Sequence, residues 1–352
     1  MKHNQIRLPI HLQFFANQLE GVLSLEEFKR ETLLGFIQAL EMPFEQKLLR
    51  FLPRDKKVFS LSFAYDIVTK AKSTAAQILE FGAPAPLRDK GTVERAMAEV
   101  AKIANKHRFD QRDQLTIMNT RFDQERQQVI DRALQDVATL IEDVYKTEEW
   151  MRAAALYYGV MQYNFDGVVL DIDFGIPSGN KVVLTGTEKW DQYETANPMQ
   201  DLIEWTQEFK RKNADRAPQA IHMSFSAFWD MVKCKSTINA IKGIVGGTIA
   251  PDEVNAYLKR FNIPPIEIQD FVVDFEDGTR RLLPENRVAL LGIQGVQLGS
   301  TVEGPTVENG GQPGVYTRTW QEDNTLNQFV EVGKAAFPEL QYPTGVMHFD
   351  VK

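Results

Sequence analysis

The stretch from Arg121 to Tyr158 contains neither glycine nor proline, and it constrains the chain more than any other feature. Ile130, Leu134, Val137, Ile141 and Val144 recur at steps of four and three, which puts them on one narrow face of a helix. Asp131, Arg132, Gln135, Asp136, Glu142 and Asp143 stand between them on the solvated side. A single helix of ~38 residues would be a rod of about 57 Å. Two helices with a bend near Lys146 to Glu149 are the alternative. A rod with so narrow a stripe needs support along its length. Val168, Leu170, Ile172 and Phe174 alternate with Val169, Asp171 and Asp173, the period-two pattern of a strand. Pro177 to Asn180 reads as a turn and Val182-Val183-Leu184 as the return strand, giving a β-hairpin beside the helix.

Ahead of the helix, Ser24-Leu25-Glu26-Glu27 has the spacing of a capping box. Phe28, Leu33, Phe36, Ile37 and Leu40 follow, so a helix is expected over about 25–42, ended by Pro43. A shorter helical stretch reaches Leu52, and Pro53 to Lys57 reads as a loop. Residues 58–110 are the least core-like part of the chain. Val58 to Phe63 alternate as a strand, Gly82-Ala83-Pro84-Ala85-Pro86 excludes regular structure, and charge is dense from Arg88 to Arg108. Thr92 to Ala104 is compatible with helix or strand. So few large apolar groups can bury little against their own chain, so the segment reads as an extended arm or a solvated surface helix.

Beyond Trp190, Asn197-Pro198 opens a helix whose inner face is Met199, Leu202, Ile203, Thr206 and Phe209. Strands are expected at Ala220 to Ser224, Ile266 to Phe275, Arg287 to Gly292 and Val346 to Val351, with helices at 226–234 and 252–261. Asp277-Gly278 is a hairpin turn. Residues 299–315, rich in glycine with Pro305 and Pro313, read as a mobile surface loop.

The chemistry-bearing residues form no convincing site. Asp171 and Asp173 share a strand face and could meet a metal or a sugar, but no third acid or histidine is near in sequence. The solvated side of a hairpin is the simpler reading. Gly243 to Thr248 lacks the lysine a phosphate loop needs after its last glycine. Histidines 3, 11, 107, 222 and 348 have no ligand spacing. Cys234, flanked by Lys233 and Lys235 in an expected helix, could be acidified, though a buried inert thiol suits it better. No nucleophile elbow is present. No catalytic, cofactor-binding or metal-binding residue is therefore assigned, no cofactor is expected, and the chain reads as not an enzyme. One cysteine allows no intrachain disulfide. No apolar run approaches the ~20 residues of a membrane span, and Arg7, His11 and Gln13 interrupt the only signal-like stretch, so synthesis in the cytoplasm is expected. A formal charge of −8 over 352 residues suits a wall around nucleic acid better than a tight binder of it.

Several stretches resemble the tailed-phage major capsid protein E family, which has the Hong Kong 97-like shell fold. They are Leu12-Gln13-Phe14-Phe15-Ala16, Phe81 to Arg88 with Val93-Glu94-Arg95, and Val168 to Pro177. Trp190-Asp191, Ala196-Asn197-Pro198, Asp201-Leu202-Ile203, Thr248 to Glu253, Asn262 to Glu267 and Arg281 to Val288 continue the set in order. Thr92 to Ala104 departs from it in being alanine-rich. The resemblance implies an α+β subunit with N-terminal arm and helices (1–57), an extended loop (58–110) and a peripheral domain with spine helix and hairpin (111–197). An axial domain (198–333) and a C-terminal return to the peripheral domain (334–352) complete it. It further implies a major capsid protein that assembles with itself into pentamers and hexamers of an icosahedral head, enclosing double-stranded DNA without sequence-specific binding. Scaffolding protein, portal and a decoration protein are the implied partners, with no membrane, and the virion is the implied location. The alternatives are an encapsulin-like compartment shell of the same fold, or a carboxylate-dependent hydrolase using Asp171 and Asp173.

Overall fold

The computed structural model describes residues 22–68, 93–118, 123–243 and 246–352. In chain order the first elements are α1 (Arg30–Ala39), β1 (Lys56–Lys57), β2 (Ser62–Val68), β3 (Val93–Glu99), β4 (Ala101–Phe109), α2 (Gln111–Met118) and α3 (Asp123–Ala153). Then come β5 (Val160–Phe165), β6 (Val168–Asp173), β7 (Lys181–Val183), α4 (Pro198–Lys212), β8 (Pro218–Met223), α5 (Phe225–Lys233), α6 (Lys235–Lys242) and α7 (Pro251–Lys259). The remaining strands are β9 (Ile266–Ile268), β10 (Val272–Phe275), β11 (Gly278–Arg281), β12 (Arg287–Ile293), β13 (Gly299–Gly304), β14 (Tyr316–Gln321), β15 (Gln328–Leu340) and β16 (Val346–Asp350). The chain forms two compact units, whose boundaries fall after Glu41, within β4 and α3, just before β14 and within β15.

The smaller unit holds described residues of 22–41, 104–141 and 316–332. Val22, Leu25 and Phe28 are all buried, and their spacing of three suits tight 3₁₀ turns, which is what forms at Val22–Ser24 and Glu26–Phe28. The helix expected from 25 therefore starts only at Arg30. Its N-cap is Lys29, which makes no side-chain cap bond, so Ser24 does not cap it. Leu33 and Ile37 are buried, as are Ile130, Val137 and Ile141 of α3. Phe28 meets Phe109 edge to face at 5.8 Å.

The larger unit takes in 42–103, 142–315 and 333–352. Its main sheet has the order β7-β16-β12-β8-β9. β12 is buried at all but its first residue and is an inner strand, antiparallel to both β16 and β8. On α4, Met199, Leu202, Thr206 and Phe209 are buried as expected, joined by Trp205, while Ile203 is only half-buried. Trp205 stacks on Phe349 at 3.8 Å and on Trp190 at 5.7 Å. The Trp190 indole N–H donates to Asp201 at 2.8 Å.

Burial pushes the Asp201 carboxyl up to about 6 from its usual 3.8, despite the Trp190 bond. A raised acid favours folding fully below its unfolded pKa and loses that contribution as pH rises through the folded value. Asp201→Asn keeps an acceptor for Trp190 and removes the charge. With allowance for solvent screening at this half-buried site, it should add about 1–2 kcal/mol of stability above pH 6 and match the parent below pH 4. Thermal melts across that range check this, and a less stable variant at pH 8 would refute it.

The long helix is one piece over 31 residues, uninterrupted at Lys146 to Glu149. It passes into a single π turn, Ala154–Tyr158. Gly159 ends it at φ 71, and a Cβ there would also collide with Ile176, so only glycine suits this terminus.

Several expected elements are placed differently. β6 pairs with β5 through the Asp166-Gly167 turn, both residues at positive φ, whereas Val182 belongs to β7, which joins β16 in the main sheet. Thr92 to Ala104 falls largely in strands β3 and β4. The strand expected at Val58 to Phe63 begins at Ser62, leaving Phe59 and Leu61 exposed. Nor does 58–110 bury little: Phe63, Tyr65, Ile103 and Phe109 are core residues. The span Ile266 to Phe275 breaks after Ile268, where Gln269 N–H turns to the Met223 carbonyl. Residues 299–304 are a fully buried strand, not part of a loop. Their glycines serve close packing: a Cβ at Gly304 would lie 2.4 Å from Val100 Cγ2. Cys234 joins α5 to α6 instead of lying inside a helix.

Candidate functional site

Asp171 and Asp173 are exposed on β6. Asp171 accepts a hydrogen bond from the Gln162 amide at 3.3 Å, and Asp173 accepts one from Gly175 N–H at 2.8 Å. Among the described residues no cluster of three His, Cys, Asp or Glu is placed to hold a metal. Gly243 ends α6 at φ 66, and Gly246 and Gly247 also have positive φ, while 244–245 lie outside the described residues, as do His3, His11 and the expected loop tip Phe81 to Arg88. Cys234 is buried, its thiol donating toward the Trp190 and Asp230 carbonyls. Burial, with Asp230 and Asp201 nearby, pushes it up to about 12, the opposite of activation by Lys233 and Lys235.

Of the described histidines, His222 and His348 serve the core, while His107 is partly exposed beside Asp136 at 3.7 Å. His222 is buried between the Arg50 guanidinium and the Tyr157 hydroxyl, each at 2.6 Å. His348 is hydrogen-bonded to the Leu156 carbonyl, and burial holds it down to about 4.

A larger ionic group ties α3 to β13, β15 and the segment before β1. Arg152 spans Glu148 and Glu149, both at 2.8 Å, and donates to Thr301 Oγ1 at 2.8 Å. Lys334 reaches Glu303 at 2.8 Å and Glu148 at 3.3 Å, and Arg54 pairs with Glu148 at 2.8 Å. Three cations face three carboxylates. Burial alone would raise the Glu148 carboxyl, but Lys334, Arg152 and Arg54 outweigh it and hold the group at about 2. Glu149 is raised, because burial outweighs Arg152. These groups have no free face for a substrate. They lock structure.

The exposed groups are of another kind. β2 and β3 form a two-stranded sheet of their own, and so do β5 and β6. Among the described residues neither pairs with a further strand, and each leaves apolar side chains to solvent: Phe59, Leu61 and Met97 at or near the first, Val168 and Val169 on the second. Tyr65, Ile67, Met97, Leu170, Ile172 and Phe337 line an open groove of about 490 Å³. Two-stranded sheets are marginal alone, and unpaired edges beside apolar patches are the marks of surfaces completed by another chain. Sequence periodicity located β6 but could not show that its apolar face stays partly open, because that depends on what packs there.

The fold and these open hairpins suit a subunit whose surfaces are completed by other chains. The sequence matches the family model for phage major capsid protein E over residues 30–351. The chain belongs to that family and has its Hong Kong 97-like fold; it is a shell-forming structural protein. Among solved structures it is similar to a prophage protein of E. coli CFT073 described as a capsid protein, with TM-score 0.61 and 15% identity over 92% of this chain and 99% of that one. It is also similar to a phage-related protein of Bordetella bronchiseptica RB50, with TM-score 0.55 and 12% identity over 91% and 96%. No match was found among curated protein sequences. Among the described residues no helix is long and apolar enough to cross a membrane.

Proposed function

We propose that the chain forms pentamers and hexamers of an icosahedral head that encloses double-stranded phage DNA, and that it has no catalytic role. In this reading 1–57 is an N-terminal arm with helices, 58–110 the extended loop, 111–197 the peripheral domain, 198–333 the axial domain and 334–352 the return strand. A scaffolding protein, a portal and a decoration protein are its partners, and assembly takes place in the host cytoplasm. The family match favours a phage head over a compartment shell of the same fold. The single observation that carries the reading is the β2–β3 hairpin, a two-stranded sheet with Met97 73% exposed beside Phe59 at 71% and Leu61 at 62%. An isolated subunit gains nothing from such exposure, whereas a repeated contact with a neighbour would bury it.

Phe59→Asp, Leu61→Asp and Met97→Asp together should change subunit stability by less than about 1 kcal/mol, since each side chain is solvated. The same variant should lose particle formation, scored by sedimentation. Normal particle yield would contradict the assignment of this hairpin to the shell contact.

A further inference from the structure

In the smaller unit, β15 lies between β4 and β14. Four side chains form a continuous ladder across the solvent side of these strands. The Arg318 guanidinium lies 4.9 Å from the Trp320 ring centre, Trp320 stacks on Phe329 at 5.2 Å with planes 12° apart, and Lys106 Nζ lies 5.8 Å from Phe329. Lys106, Arg108 and Arg318 are exposed, and none of the three has a carboxylate partner among the described residues. Glu331 on β15 accepts the Tyr316 hydroxyl at 2.6 Å. On a chain of net charge −8, this is a local basic and aromatic face.

The opposite chemistry stands on β6. Val169, Asp171 and Asp173 share one strand face, opposite Asn164, Gln162 and Val160 of β5. That face is exposed, Val169 at 68%, and no cation pairs with either carboxylate among the described residues. Asp171 and Asp173 are two apart on a strand, as are Lys106 and Arg108, so both pairs repeat at about 6.7 Å. Resting on the reading of the chain as a shell subunit, we propose that the Val169, Asp171 and Asp173 face of one copy docks on the Lys106, Arg108, Arg318, Trp320 and Phe329 face of a second copy. The carboxylates meet the cations and Val169 meets the ring edges. Such a contact joins two different surfaces, so it propagates from copy to copy. Nucleic acid fits the basic face less well: the ring faces are already used in the ladder and cannot stack bases, and three cations are few for a phosphate backbone.

The test uses the full chain with reversed charges. One variant carries Asp171→Lys and Asp173→Lys, and another carries Lys106→Glu, Arg108→Glu and Arg318→Glu. Each should need about tenfold more protein to assemble at low salt, because like charges would face each other. All five changes in one chain should restore most of the assembly, and so should an equal mixture of the two variants, which identifies a contact between copies. Variants that assemble like the parent, or a combined chain no better than its components, would overturn the proposal. If a reversed variant fails to fold, Asp171→Asn with Asp173→Asn serves instead. Its assembly should depend less steeply on salt than the parent's, and an unchanged salt dependence would overturn the contact. Loss of duplex DNA binding in the Glu variant with assembly intact would assign the basic face to nucleic acid and also overturn it. A parent that forms no particles would count against the shell reading, whereas parent particles with indifferent variants count against this contact alone.

Discussion

Glu148→Ala should destabilise the subunit by about 3–5 kcal/mol, the cost of breaking a buried ionic group by removing one partner. Glu148 is 1% exposed and Arg152 and Lys334 are both 0%. Three cations converge on its carboxylate, so its removal leaves Arg152 and Lys334 in a dry interior with one fewer negative charge. The same group sets an acid limit. A carboxyl held at about 2 contributes stability that is complete above its unfolded pKa near 4.5 and is lost as pH falls toward 2. Chemical denaturation at neutral pH gives the magnitude directly. Glu148→Ala combined with Lys334→Met should cost less than the sum of the two single changes, because the charges compensate. A loss below about 1 kcal/mol for Glu148→Ala would show that water reaches the group and that it does not lock α3 to β13 and β15.

Gly299→Ala should be nearly as damaging, about 3 kcal/mol or more. A Cβ built at Gly299 falls 2.0 Å from the Glu339 carbonyl oxygen and 3.1 Å from Leu52 Cδ2. The first of these is backbone in the pairing strand, Gly299 standing opposite Leu340 in the β13–β15 register, so no side-chain rotation relieves it. The strands must separate, which disturbs the ladder from Gly299↔Leu340 to Gly304↔Ala335. Gly310→Ala is the control. It lies in the loop that follows, with nothing within 4 Å of its Cβ, and costs only the strain of its φ of 65, about 1 kcal/mol. Equal losses at the two positions would mean that backbone freedom, and not close packing, accounts for Gly299.

That contrast explains much of what the sequence could and could not disclose. Glycine serves both mobile loops and tight strand contacts, and composition alone does not separate them, so 299–304 reads as loop although it is core. The long helix was legible because its stripe from Ile130 to Val144 repeats without interruption, and Gly159 supplies a terminus of the ordinary kind. The hairpin was half legible. β6 shows in its alternation, but Pro177 drew the turn away from Asp166-Gly167, which has the stronger turn chemistry. β14 and β15 leave little trace, because buried Lys334, Glu339 and Gln328 break the apolar pattern that marks a central strand. Their charges are satisfied by partners distant in sequence, which no local window contains. The solvated side of β6 at Asp171 and Asp173 was legible in its alternation, whereas the exposed apolar groups of β2–β3 and β5–β6 and the Arg318 to Lys106 ladder were invisible. Their exposure is a property of the fold, and the order of motifs pointed to the family without marking these surfaces.

This subunit is built to be completed by copies of itself. Electron microscopy of the purified chain, alone and with a scaffolding partner, tests it most directly. Closed particles or five- and six-membered rings are expected, with the β2–β3 hairpin and its apolar side chains buried between copies; compact monomers only, under both conditions, would refute self-assembly.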